Sequence, residues 1–148
     1  MRKRGRTALG LAVSAFAACA ATPGGLVPYE VVGQAIPTPL ISEPGDPQRG
    51  RAIIVGRNGN CLLCHAIPET GEKFTGNVGP PLSGIGARAS AGELRLRIVD
   101  PTRLNKEAVM PAYYRVHGLD AVGAEHRGKP ILTAQQVEDE VDYLLTMR

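Results

Sequence analysis

Gly59-Asn60-Cys61-Leu62-Leu63-Cys64-His65 is the stretch that decides how the rest of this chain is read. Two thiols separated by two residues, with an imidazole directly after the second, form the pentapeptide that binds a c-type haem covalently. The thiols add across the haem vinyl groups, and the adjacent imidazole is close enough to become an axial ligand of the same iron. Two other uses of a Cys-x-x-Cys pair need no such His. A thioredoxin-like redox pair closes a buried strand and opens a helix, whereas Gly56, Gly59 and Asn60 precede Cys61 and no apolar strand does. A zinc site needs four ligands, and the only further cysteine is Cys19. One covalent haem c is therefore expected, bound by Cys61 and Cys64, with His65 on its iron.

Bacteria join haem to such thiols on the outer side of the plasma membrane, and the start of the chain reads as an export signal. Arg2, Lys3, Arg4 and Arg6 precede an apolar run over 8–18 that is too short to span a bilayer, and small residues over 17–22 suit a signal peptidase. Residues 1–21 are expected to be a signal peptide, which places the mature chain in the periplasm without stable membrane insertion. Phe16, three positions before Cys19, disfavours lipidation there. Residues 22–148 hold thirteen basic and fourteen acidic side chains, so the net charge of +3 belongs to the leader and gives no reason to expect a nucleic-acid partner. Cys61 and Cys64 are the only thiols left, so no disulfide forms without giving up the haem. With Trp absent and a domain of modest size, the porphyrin would be the largest apolar object in the core.

Residues 22–45 contain Pro23, Pro28, Pro37, Pro39 and Pro44, which rule out a long helix. This arm also carries Val27, Val31, Val32, Ile36, Leu40 and Ile41, which need cover; it packs on its own domain or on a partner, or stays loosely ordered. A cytochrome domain is expected over 46–148. Asp46-Pro47 supplies a capping acid and a proline at the first helical position, starting a helix that runs to Val55 and stops at Gly56. Ser90 with Glu93 makes a capping box for a second helix bearing Leu94, Leu96, Ile98 and Val99, ended by Asp100-Pro101. Thr133 with Gln136 makes another, and Val137, Val141, Leu144 and Leu145 recur at helical spacing. Residues 66–85 and 103–131 show no period and read as loops. The fold class is all-α, a few short helices and long loops around one covalent haem.

The second axial ligand is to be chosen among Met110, Met147, His117 and His126. Met110 is preferred, because it lies in a loop before Pro111 with a helix between it and His65, so the chain crosses from one haem face to the other. Met147 is one residue from the C-terminus, where fraying weakens a bond, and the two histidines sit in Gly-flanked polar loops. A His/Met iron has a raised reduction potential and a closed coordination sphere, which suits electron transfer. In Gly79-Pro80-Pro81-Leu82 a proline carbonyl is placed to accept the outer N–H of His65, and Leu82 to pack on the porphyrin.

The haem motif together with Gly79-Pro80-Pro81-Leu82 resembles the class I cytochrome c family. Residues 87–101, Val109-Met110-Pro111-Ala112-Tyr113-Tyr114-Arg115 and residues 128–138 resemble more narrowly the SoxX family, monohaem subunits of the SoxAX complex of bacterial sulfur oxidation. The resemblance runs from about Gly45 to the C-terminus. It implies Cys61 and Cys64 on the haem, His65 and Met110 on its iron, and no catalytic residue in this chain. It further implies a SoxA partner with the catalytic haem, the carrier SoxYZ whose cysteine is joined oxidatively to thiosulfate, and a soluble cytochrome c as electron acceptor. The enzyme so assembled is an L-cysteine S-thiosulfotransferase. Two other readings compete with it: a free-standing periplasmic electron shuttle, and an exported thiol-disulfide protein using Cys61 and Cys64.

Overall fold

Asp46 opens the first helix, α1 (Pro47–Val55), by accepting the backbone N–H groups of Gln48 and Arg49 at 2.8 and 2.9 Å, with Pro47 at the first position where no N–H is missed. This computed structural model describes residues 25–148. The expected signal peptide and Cys19 lie outside them. Helix α2 (Ala91–Val99) begins with the reciprocal Ser90–Glu93 capping box, and α3 (Ala134–Thr146) with that of Thr133 and Gln136. Single 3₁₀ turns at Cys61–Leu63, Pro68–Thr70, Ile85–Ala87, Pro101–Arg103 and Ala124–His126 punctuate the loops. They are too short to leave a period in the sequence. The described residues contain no strand beyond an isolated bridge between Val32 and Ala35, and no helix long and apolar enough to cross a membrane.

α3 is the spine, packed against both α1 and α2. Val137, Val141 and Leu144 are buried with Ile54 from α1 and Leu94, Leu96, Ile98 and Val99 from α2. The α1–α3 contact depends on Gly50: a Cβ there would run into the backbone carbonyl of Asp139 and lie 2.9 Å from Tyr143 Cβ. The helices thus meet backbone to backbone.

All three side chains of the acidic run Glu138-Asp139-Glu140 are buried. Successive helical positions point about 100° apart, and each acid meets a different neighbour. Glu138 takes Arg95 Nε at 2.8 Å and Nη2 at 2.7 Å, while Arg95 Nη1 donates to the Ile36 carbonyl at 2.6 Å. Asp139 takes Arg49 Nε and Nη2, both at 2.8 Å. Glu140 has no such partner.

Over its described residues, 25–45, the arm is packed on its own domain. Ile36 and Leu40 are in the core, the Leu40 N–H donates to Glu138 Oε1 at 2.8 Å, and the Val27 N–H donates to the Tyr114 hydroxyl at 2.7 Å. The C-terminus is likewise held: Met147 is buried, its N–H donates to the Leu144 carbonyl and its carbonyl accepts the Gly86 N–H at 2.8 Å. Fraying is therefore not what sets Met147 apart, and its place in the core is.

Candidate functional site

Helices α1, α2 and α3 and the two long loops enclose a cavity of about 460 Å³. Its walls are mainly apolar, with Ile54, Leu82, Ile85, Leu94, Ile98 and Leu144 among them. Cys61, Cys64, His65 and Met110 all face this one space, whereas His117, His126 and Met147 do not line it.

The motif is held in a tight turn before any cofactor is considered. Asn60 adopts a left-handed conformation, and the N–H groups of Cys64 and His65 both donate to the Cys61 carbonyl, at 3.1 and 2.9 Å. Residues 76–82 then lie back on the motif: Gly76 N–H to Leu62 carbonyl at 2.7 Å, Gly79 to Cys64 at 2.8 Å and Leu82 to Ala66 at 3.0 Å. This return brings the Pro80 carbonyl to 2.7 Å from His65 Nδ1. A carbonyl only accepts, so Nδ1 carries the proton and Nε2 keeps its lone pair. Gly79 lies flat against the same ring, because a Cβ there would collide with Cε1 and come within 2.6 Å of Nδ1. The proline carbonyl expected from the sequence is present, and Leu82 lines the cavity.

The Met110 segment is anchored by backbone bonds on both sides of Met110, the Ala108 N–H donating to the Asn105 carbonyl at 3.0 Å before it. Tyr113 and Tyr114 N–H groups donate to the carbonyls of Ile98 and Val99 at 3.1 and 3.2 Å, and the Tyr113 hydroxyl donates to the Gly59 carbonyl at 2.8 Å. Tyr113 therefore ties this wall to the residue two before Cys61. Burial, and then the nearby Cys61 and Glu140, raise its pKa. Burial also pushes the Cys61 thiol up, with the Glu140 charge as the next contribution. Both cysteines are free thiols.

Sequence reasoning missed Glu140. It lines the cavity, and burial alone pushes its pKa up to about 8. A signal was present, because position 140 completes the spacing of Val137, Val141 and Leu144 and so puts an acid on the apolar face. Arg97 and Asn105, the cavity's polar lining on the α2 side, were missed as well.

The donor set and the shape fit a haem. The cavity has the size and apolar character of a cofactor site, two thiols and an imidazole with a fixed tautomer stand at one wall, and a thioether stands at another. The helical fold, its long loops and this cavity define a class I cytochrome c domain, and that fold implies a covalent c-type haem. No protein-family model matches the sequence, and no curated protein matches it. Among solved structures the chain is similar to "Crystal structure of SoxXA from P. pantotrophus", with a TM-score of 0.74 and 34% identity over 80% of this chain and 93% of that one. The chain belongs to the SoxX family, cytochrome subunits of SoxXA.

Proposed function

We propose that this chain is the electron-transfer subunit of a periplasmic SoxAX L-cysteine S-thiosulfotransferase. In this reading residues 1–21 direct export, 22–45 form the arm and 46–148 the cytochrome domain. Cys61 and Cys64 would hold one haem c as thioethers, and His65 and Met110 would be the side chains that ligate its iron. Such a haem supplies one-electron chemistry at a raised potential with no open coordination position. The observation that carries the reading is the convergence of Cys61, Cys64, His65 and Met110 on one apolar cavity, with His65 Nδ1 already bonded to Pro80.

The chain's own residues set the conditions. The Pro80 carbonyl holds the imidazole's orientation. The apolar walls keep water from the iron's surroundings, which favours the less charged state. After cleavage of the leader no thiol beyond Cys61 and Cys64 remains to accept sulfur. Bond making between thiosulfate and the SoxYZ cysteine accordingly belongs to a SoxA partner, and this subunit takes the electrons and passes them to a soluble cytochrome c. A lasting partner is also supported by large apolar side chains left in solvent near the cavity mouth. Val78 and Val109 line the cavity yet are 69% and 81% exposed, with Leu63 and Phe74 exposed nearby in sequence.

Co-expression with a SoxA-like subunit tests the reading. The haem-loaded chain is expected to co-purify with it as a heterodimer. A chain that stays a monomer in its presence overturns the subunit assignment and leaves the free-standing shuttle. A pyridine haemochrome spectrum without a haem band overturns the cytochrome reading and leaves the thiol-disulfide one.

A further inference from the structure

Three consecutive acids of α3 are buried, and two of them are matched by arginines: Glu138 by Arg95 and Asp139 by Arg49. Glu140 is 2% exposed, lines the cavity and makes no ion pair among the described residues, and its Oε1 has no hydrogen-bond partner. A buried carboxylate without a cation or donors is costly and relieves that cost by binding a proton.

Most charged side chains around Glu140 are engaged elsewhere, and the two propionates that a bound haem would bring are told apart from it by the Glu140→Gln variant. On its own helix Glu138 and Asp139 are engaged with arginines, Asp142 is held up by burial and by the Glu138 charge, and Tyr143 is raised by burial. From α1, Arg49 is held by Asp139 and Arg51 donates to the Thr70 carbonyl. Cys61 and Cys64 cease to titrate once they are thioethers, and Tyr113 is shifted away from neutrality. Elsewhere on the cavity wall stand Arg97, Glu107 and His65; Arg97 donates to its own helix at the Glu93 carbonyl, 3.0 Å away.

We propose that Glu140 is a proton-linked group of this cytochrome, its carboxylate taking up one proton from solvent when one electron enters the haem cavity and releasing that proton when the electron leaves. The proposal rests on the haem reading above. One electron and one proton enter together, so the cavity's net charge is unchanged, and no bond other than the carboxyl O–H is made or broken. The electron donor in the assembly is the thiosulfate-oxidising partner; in the test it is a chemical reductant.

The direction follows from electrostatics. The oxidised centre carries one more positive charge, which favours the carboxylate, so Glu140 binds its proton more weakly in the oxidised state than in the reduced state. By linkage, the equilibrium between oxidised and reduced protein shifts toward oxidised as pH rises between those two proton affinities, by up to about tenfold per pH unit. Burial pushes the Glu140 pKa up to about 8, within the range where such a link operates.

The test is a spectroelectrochemical titration of the exported, haem-loaded full chain from about pH 5 to about pH 10, for the wild type, Glu140→Gln and Glu140→Asp. The wild type is expected to show the shift in a window around pH 8 and Glu140→Gln to be flat through it, with Glu140→Asp retaining a shift at a displaced pH. The reduced-minus-oxidised infrared spectrum is expected to gain a protonated carboxyl band that Glu140→Gln lacks. A pH-independent wild type overturns the proposal, as does a shift that survives in Glu140→Gln. Should Glu140→Gln fail to accumulate, the wild-type infrared spectrum decides, since no carboxyl gain on reduction refutes the link. A haemochrome spectrum without haem defeats the cytochrome reading itself, whereas haem present with a flat titration defeats this inference alone.

Discussion

The walls carrying His65 and Met110 line one cavity but are built differently. The His65 wall is fixed by bonds at every step: the turn closing on the Cys61 carbonyl, the return strand of loop bonded at Gly76, Gly79 and Leu82, and the Pro80 carbonyl on the ring itself. On the Met110 wall, Ala108 N–H donates to the Asn105 carbonyl at 3.0 Å, and the next backbone bond is Tyr113 to Ile98, at 3.1 Å. Between them residues 109–112 make no backbone hydrogen bond, and Met110 is held by packing of its side chain against the core. A strong imidazole ligand on a rigid wall and a weaker thioether on a tethered loop would divide the work, one wall fixing the haem and the other tuning it.

The largest break in this comparison comes from the motif. Cys61→Ser with Cys64→Ser is expected to abolish covalent haem entirely, read as absence of haem in the denatured, solvent-extracted protein. Gly79→Ala comes next, because the new Cβ collides with the His65 ring, which the Pro80 bond leaves no room to swing aside. Crowding of this kind costs about 1–3 kcal/mol. A fall in thermal midpoint together with a disturbed His-ligated spectrum is expected; a spectrum and midpoint equal to wild type would show that this wall yields as readily as the other.

How far each wall was legible in the sequence follows the same division. The motif and Gly79-Pro80-Pro81-Leu82 are local signals, as are the caps at Asp46, Ser90 and Thr133, because a turn or a helix end is decided within a few residues. Met110 stood out among four candidates, and the cavity admits it while leaving His117, His126 and Met147 out. Of the buried acids, Glu140 left a signal in its spacing, but Glu138 and Asp139 were not legible. An acid run looks solvated unless its partners are known, and those partners come from far along the chain: Arg95 for Glu138, Arg49 for Asp139, and the arm's Leu40 N–H. Nor did composition decide among the fates open to the proline-rich arm, since long-range bonds to Gly92, Arg95 and Glu138 fix where Ile36 and Leu40 lie.

Met110→Ala probes the second wall. It is expected to keep covalent haem, to lose the methionine-to-iron charge-transfer band and to lower the reduction potential, since a thioether on the iron raises it. An unchanged spectrum would move the ligand to His117 or His126 and would require the loop over 104–132 to refold, since neither histidine lines the cavity.

The smallest effect is expected where the two walls are joined. The Tyr113 hydroxyl donates to the Gly59 carbonyl at 2.8 Å, and Tyr113→Phe keeps the ring but leaves that carbonyl without its donor. The cost is about 1–2 kcal/mol, measurable as a lower denaturant midpoint with an unchanged slope. Because Tyr113 follows Met110 by three residues and its N–H is bonded to α2, the ring stays in place while the link to the motif is cut. If the His65 wall is self-sufficient, the variant's His-derived spectral features stay as in wild type, and only the methionine band weakens. Equal disturbance of both would mean that the rigid wall borrows its rigidity from the tether.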